Sequence, residues 1–521
     1  MLLNRLRSER GFTTVVVMLV LLVGGLLVMA AFEASDGDTA VARHDQYYKL
    51  AYSAAEAGIN FYYYELNSDV NYWTKCPAAT TAIPINPVST SSSSQVWRSL
   101  PGNAAAQYSV EVLPATGTTL PACTGTAPNM QIAGVLNSTT GTFKVRSTGS
   151  YRGVKRSIVA TFKRKGFLDF LWFTNYETDD PATYPTTQQA SASSKCVMYY
   201  RDGRGNQTVV DTGNSRNNTT CQDPDFITGD NYQGPMHTND EFSICGSPTF
   251  GRFAADSIEM SADTPGWHDD CSGSTPSFKG TKTFKAPILT MPPSNTSLKS
   301  VAQSGGLLLT GTSKLVLSGN TLTVNGVTTA WPANGVIYVQ NGTCTTTGYD
   351  STEAYTHDAG CGDAWVHSTS DVTNDLTIAA DNDIIVDGNL RHDDTTEIGL
   401  IANNFVRLYH PVTTDSHGNC INATGSLTSP EIDAAILSVT HSWIVDNWAC
   451  GSPLGTLTVN GAIAQKFRGP VGTHSQGAIQ TGYLKNYVYD DDLRFRDPPF
   501  FLDPIQASWR ILGENEQVSA H

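Results

Sequence analysis

Charge is scarce in this chain. Asp, Glu, Lys and Arg make up 16% of its 521 residues, against about a quarter in an ordinary globular protein. The net charge of −15 excludes a general nucleic-acid binder, which presents a basic surface. None of the 25 prolines precedes Pro77, so the first 76 residues are free of the strongest helix breaker. No CxxC pair occurs, which removes the signature of zinc ribbons and thioredoxin-like redox sites. G-x-S-x-G, HExxH and P-loop motifs are missing as well, so the commonest hydrolase, zinc-protease and nucleotide-binding signatures find no support. The chain is still not a disordered one, because 40% of it is hydrophobic, enough for a large core.

The charge deficit is filled by Thr, Ser, Asn and Gly, the composition of a neutral-surfaced, β-rich, exported protein. Ten cysteines agree with export: Cys76, Cys123, Cys196, Cys221, Cys245, Cys271, Cys344, Cys361, Cys420 and Cys450. Their number is even, and disulfides persist in oxidising compartments. Connectivity is open at this level; pairing of successive cysteines is expected because short loops close most readily. Cys344, His357, Cys361 and His367 are also spaced as a zinc set, but export favours a Cys344–Cys361 disulfide.

The N-terminus carries the strongest signal. Arg5, Arg7 and Arg10 precede an uncharged apolar run from Val15 to Phe32, about the length that spans a bilayer. The basic flank predicts a cytoplasmic N-terminus with the rest of the chain outside. Beyond the run, Tyr48, Ala51, Ala55, Gly58, Ile59, Tyr62 and Leu66 recur at steps of three and four. One helix is therefore expected over 12–66, with 12–32 transmembrane and the outer half amphipathic. Gly37, between Asp36 and Asp38, is a place for it to bend.

The junction Gly11-Phe12, at the boundary between the basic and apolar segments, resembles the cleavage site of a type IV prepilin. The segment Ala54-Ala55-Glu56-Ala57-Gly58 resembles the AAEAG signature of PilX-type pilus-assembly proteins. The resemblance implies a leader over 1–11, removed by a prepilin peptidase that methylates the Phe12 amine. It implies other pilins, inner-membrane assembly proteins and membrane lipid as partners. Most major pilins carry Glu at the fifth mature position, where it meets a neighbouring subunit's N-terminal amine; Val16 stands there, as in minor pilins that sit at a filament tip or prime assembly. A plain uncleaved signal anchor is the alternative for this segment.

Strand-like runs at Tyr108–Val112, Phe143–Gly149 and Ser157–Phe162 predict a β head over 67–165, and the run VRSTGSYRGVKRSIVATFKR looks like the last meander of a PilX-like head. Arg152, Lys155, Arg156, Lys163, Arg164 and Lys165 form a basic cluster in it. Aromatics are not interleaved as stacking on nucleic acid needs, so a solvated strand face is expected. Residues 166–231 are expected to connect the head to a second domain. Gly234-Pro235-Met236-His237-Thr238-Asn239 resembles a motif of large proteins built on a PilX-like N-terminus.

From 232 to 521, short apolar runs alternate with Asn, Asp and Gly turns, and Ala434–Ser438 reads as buried on both faces. The fold class is mainly β with one long helix: a pilin-like head followed by a parallel β-solenoid, with an antiparallel β-sandwich as the alternative. The proline-rich tail is expected to cap the solenoid, with Trp509 buried there. His237 reads as a hydrogen-bonded turn residue. Asp381, Asp383 and Asp387, and the run Asp490–Asp492, read as solvated turns, since neither fits an EF-hand. No catalytic residue, metal or cofactor is expected. The reading is a non-enzymatic minor pilin with a large extracellular domain for assembly or for adhesion to a host or surface glycan or protein. A membrane-anchored carbohydrate-active β-helix enzyme, using a carboxylate pair such as Asp381 and Asp383, is the competing function.

Overall fold

The structure, a computed structural model, describes residues 12–69, 72–74, 97–115, 135, 142–200, 221–345, 349, 357–415, 420–423, 425–505 and 509–517. The chain divides into two compact units. The first contains the N-terminal helix and the segments up to Lys163, together with the terminal segment Trp509–His521; the second runs from Arg164 to Ser508.

The first unit is one helix on one sheet. Helix α1 spans Phe12–Ser68, 57 residues, and passes through Gly37 without interruption. At 1.5 Å per residue it is about 85 Å long. Its sheet has the order β1 (Arg98–Leu100), β2 (Asn103–Leu113), β3 (Thr142–Tyr151), β4 (Val154–Arg164) and then the terminal strand Trp509–Gln517. The pairs from β1 to β4 are antiparallel. The stripe read from the sequence is the face that packs: Ala51, Ala55, Ile59, Tyr62 and Leu66 are all buried against Val110, Val145, Phe143 and Phe162. Trp509 joins this core, 4.9 Å from the Phe143 ring and edge-on to it. The expectation that Trp509 is buried on the second unit is thus corrected, whereas Pro498 and Pro499 do lie against that unit, at Gly399 and Gly335. The tail prolines end by residue 504, and Trp509-Arg510-Ile511-Leu512 beyond them has the β-prone residues to complete the head sheet.

The second unit is built on parallel pairing. One sheet stacks Leu307–Thr310, Val336–Gln340, Leu376–Ala380, Ile398–Ala402, Glu431–Ser438 and Pro453–Phe467, each parallel to the next. A second stacks Ser313–Ser318, Ala364–Ser368, Ile384–Val386, Val406–Leu408 and Trp443–Val445, again parallel. The chain feeds the two sheets alternately. Parallel ladders of this kind run against the antiparallel sandwich alternative. Identical registers put like side chains in columns: Ile337, Ile378, Leu400, Ile436, Ile463 and Trp172 are successive partners. Both faces are covered, so Leu376–Ala380 and Ile398–Ala402 are buried throughout.

Residues 166–231, expected to be a connector, contribute to this stack. Strand β5, Trp172–Tyr176, lies between Pro453–Phe467 and Met236–Thr238, parallel to both. The physical reason is its composition: Phe170, Leu171, Trp172 and Phe173 are too apolar to leave in solvent, and all four are buried. Four disulfides lie in this unit, each between successive cysteines: Cys196–Cys221, Cys245–Cys271, Cys344–Cys361 and Cys420–Cys450. Cys76 and Cys123 lie outside the described residues.

The close approach of helix and sheet in the first unit gives a test. A Cβ at Gly149 would overlap the Ala51 carbonyl and the Ala55 amide, both backbone atoms that cannot swing aside. Gly149→Val is expected to destabilise the first unit by at least about 1–3 kcal/mol, the usual cost of overpacking. Urea unfolding followed by Trp fluorescence checks this, and an unchanged midpoint would mean the helix has room to lift.

Candidate functional site

The helix presents two environments along one element. Thr14–Glu33 is 20 residues of mean hydropathy 3.0, and none of it is buried within the chain. Val16 is 44% exposed, and Leu21, Leu22, Met29 and Phe32 more so. At about 30 Å this stretch matches a bilayer's hydrocarbon thickness. From Ala51 onward the same helix buries one side against protein. By length and composition this stretch is able to cross a membrane. Gly11 lies outside the described residues, and Phe12 opens the helix.

The Ala54–Gly58 segment sits where the helix crosses the sheet. Ala54 and Ala55 are fully buried, and Gly58 faces Ser147 and Tyr108 so closely that a Cβ would collide with both. Glu56 and Ala57 are half-buried on the flank. Small residues here serve close packing, and Glu56 takes no part in a reactive group.

The basic cluster is bound up within the structure. Arg152 donates to Tyr47 Oη at 3.0 Å, Arg156 pairs with Glu516, and the Lys155 ammonium lies 5.3 Å from the Trp97 ring. Lys163 is buried. Lys165 donates to both carboxylate oxygens of Glu259, at 2.6 and 2.8 Å. The side chain of Arg164 is outside the described residues.

The Gly234–Asn239 motif forms a buried polar staple. His237 Nδ1 lies 3.0 Å from Glu259 Oε2, and its Nε2 lies 3.0 Å from Asn239 Oδ1. Asn239 donates to the Leu289 carbonyl at 2.7 Å and accepts from the Leu289 amide at 2.9 Å. Gly234 admits Tyr489 and Leu171 where a Cβ would clash. His237 is thus held at both nitrogens, and its ring stacks on Phe173.

The candidate zinc set is not assembled. Cys344 and Cys361 are bonded to each other, His357 faces Asp363 at 3.0 Å, and His367 faces Asp387 at 2.7 Å. The carboxylates near residue 385 are likewise committed. Asp381 accepts from Tyr338 at 2.5 Å, and Asp383 accepts from Arg407 at 3.2 Å. Reading them as solvated turns is corrected for Asp383, which is buried. In the later run, Asp490 caps the short turn Asp491–Arg494, and Asp491 receives Arg252 at 2.7 Å.

Several buried ion pairs carry no signal in the sequence, because their members are far apart along the chain: Arg407 with Asp383 and Asp446, Arg468 with Glu177, and Lys485 with Asp230. Burial pushes the Asp383 and Asp446 carboxyls up, and the Arg407 guanidinium pulls them back. Beside Arg468 lies a cavity of about 240 Å³, lined by Trp172, Asp179, Asp225, His474 and Tyr483 among others. Burial, then the Asp223 carboxylate, push Asp179 up to about 8, so it is a hydrogen-bond donor at neutral pH. Asp225 is taken by Ser243 and by His474 at 3.0 Å. The cavity can hold a small polar molecule.

No family model matches the chain, and no curated protein matches it. Among solved structures, the chain is similar to the competence-associated pilin ComZ from Thermus thermophilus at 13% identity. The alignment covers 91% of this chain and 98% of that one, with a TM-score of 0.27. A likeness at that TM-score carries no argument, so function must be read from the residues themselves.

The Glu259 cluster predicts acid sensitivity. Burial alone would raise its carboxyl, but the His237 hydrogen bond and Lys165 overcome this and lower it to about 2. A carboxyl lowered in the folded state stabilises fully above its unfolded value, about 4.3, and that stability is lost as pH falls toward 2. The size is about 2–3 kcal/mol. Melting temperature against pH should fall across this window in the wild type and fall less in Glu259→Gln; parallel curves would mean that the staple does not set acid stability.

Proposed function

We propose that this protein is a non-enzymatic minor pilin of the PilX type, inserted in the cytoplasmic membrane and then incorporated at or near the tip of a type IV pilus-like filament. The observation that carries this reading is α1: a single unbroken helix whose first half is apolar on all sides and unburied, and whose second half packs a small-residue face on an antiparallel sheet. A soluble core helix would be buried along its length, and a plain anchor would have no reason to continue into a packed head. The leader over 1–11, cleavage at Gly11-Phe12 and methylation of the Phe12 amine belong to the same reading. The four described disulfides favour an extracellular location for the second unit.

We read the second unit as a β-solenoid. Its support is the alternate feeding of two parallel sheets in constant register. Its role in this proposal is assembly, or adhesion to a surface glycan or protein. Other pilins are the expected partners of α1.

Processing tests the membrane half of the proposal. Gly11→Leu is expected to leave an uncut precursor in the membrane, while the wild type yields an N-terminal methyl-Phe12 by sequencing and intact mass. Normal mature size in the variant would overturn the prepilin reading.

Position tests the filament half. A subunit within the shaft must answer a neighbour's buried ammonium, and an unpaired buried charge costs several kcal/mol. Val16 offers no carboxylate, and at the tip none is needed. Antibody against the second unit should mark filament ends sparsely; uniform decoration of the shaft would refute the tip assignment.

A further inference from the structure

Three side chains from distant parts of the second unit meet beside its first sheet. Glu397 directly precedes the strand Ile398–Ala402, His392 lies in the turn before it, and Asp490 directly follows the strand Ala478–Tyr489. One oxygen or ring nitrogen from each of the three lies within 4.8 Å of the other two. Ligands of a tetrahedral zinc-sized ion stand about 3.3 Å apart, so the three must close by up to about 1.5 Å to share one centre.

Two observations separate this group from an ordinary acidic turn. First, Glu397 is only 3% exposed, and no hydrogen bond or ion pair reaches its carboxylate among the described residues. Its backbone amide is used, donating to Asp375 at 2.8 Å, but the side chain is not. A buried carboxylate is ordinarily paired or bound to a metal. The charges that face it are Asp490, Asp492 and Asp375 against Arg496. Arg496 is spent elsewhere, donating to Asp375 at 3.1 Å and to the Thr395 carbonyl at 2.5 Å. Three carboxylates thus surround a fourth with one committed guanidinium, which leaves a deficit of positive charge.

Second, one ring nitrogen of the histidine is held as that of a metal ligand is. His392 Nδ1 lies 2.8 Å from the Asp393 carbonyl. A carbonyl only accepts, so Nδ1 carries the proton and the neutral ring keeps its lone pair on Nε2. A backbone carbonyl on the far nitrogen is the usual support of a ligating imidazole. Behind it, Asp433 accepts from the His392 backbone and from Asn460 at 2.6 Å.

We propose that Glu397, Asp490 and His392 bind one divalent transition-metal cation of the zinc class. Imidazole with two carboxylates suits such a cation, whereas calcium takes six to eight oxygens. Three protein ligands leave a coordination position for water. The ion ties the 390–397 segment to the one that begins at Asp490, just past the strand Ala478–Tyr489. Its effect is to make that junction dependent on bound metal.

The test uses the full chain in detergent, stripped with chelator and titrated with Zn²⁺ or Ca²⁺ by calorimetry, with melting temperature as the second readout. Wild type should bind one Zn²⁺ per chain and melt higher with it. Glu397→Gln and Asp490→Asn should each lose at least tenfold in Zn²⁺ affinity, while His367→Gln, remote from the site, keeps it. Stripped Glu397→Gln should fold and melt no lower than stripped wild type, since burial raises the metal-free carboxyl to about 8 and the amide replaces a group of the same shape. Should that variant fail to fold, His392→Gln reports in its place. Absence of stoichiometric Zn²⁺ binding, unchanged affinity in the site variants, or binding of Ca²⁺ in preference to Zn²⁺ would overturn the proposal.

Discussion

The second unit depends on register. Ile337, Ile378, Leu400, Ile436, Ile463, Trp172, Met236 and Ile258 are successive partners across seven parallel ladders. A slip of one residue anywhere would send a whole strand's inward set to the other side. The hydrophobic column fixes where each turn must begin, and so fixes which polar groups meet at the strand ends. The buried pairs of Arg407, Arg468 and Lys485 depend on that placement. None of them would survive a shifted strand, because each joins residues far apart in the chain that the ladders bring together.

The first unit and the mainly β class were legible in the sequence because both rest on local periodicity. The stripe from Ala51 to Leu66 is a helical repeat, and the three runs at Tyr108, Phe143 and Ser157 alternate as strands do. Ala434–Ser438 showed burial on both faces in its composition alone. What was not legible is long-range. Trp172–Tyr176 has the look of a linker start, and nothing near it announces that its partners are Ile463 and Met236. Trp509 follows a proline-rich stretch that suggested an ending, yet the strand it opens belongs to the head sheet. The cysteines paired as nearest neighbours where described, each pair closing a loop of 17 to 30 residues.

The polar residues divide by the same rule. His237 and the cluster at Arg152–Lys165 were visible as motifs, and the structure gives their neighbours. The trio of His392, Glu397 and Asp490 was invisible, since almost a hundred residues separate Asp490 from the other two. Asp490 was noticed only as one of three consecutive acids. Its position after the last residue of a long parallel strand, and not its charged neighbours, brings it to Glu397.

The order of strands in the head has a mechanical meaning. β4, which leads out to the second unit, and Trp509–Gln517, which receives the chain back, are neighbours in one sheet. The second unit is therefore an insertion with two covalent tethers rather than a pendant with one. A protease that nicks any one of its exposed turns leaves both fragments still rooted in the same sheet, and a pull on it is divided between two adjacent strands. Loss of the second unit then takes two failures instead of one.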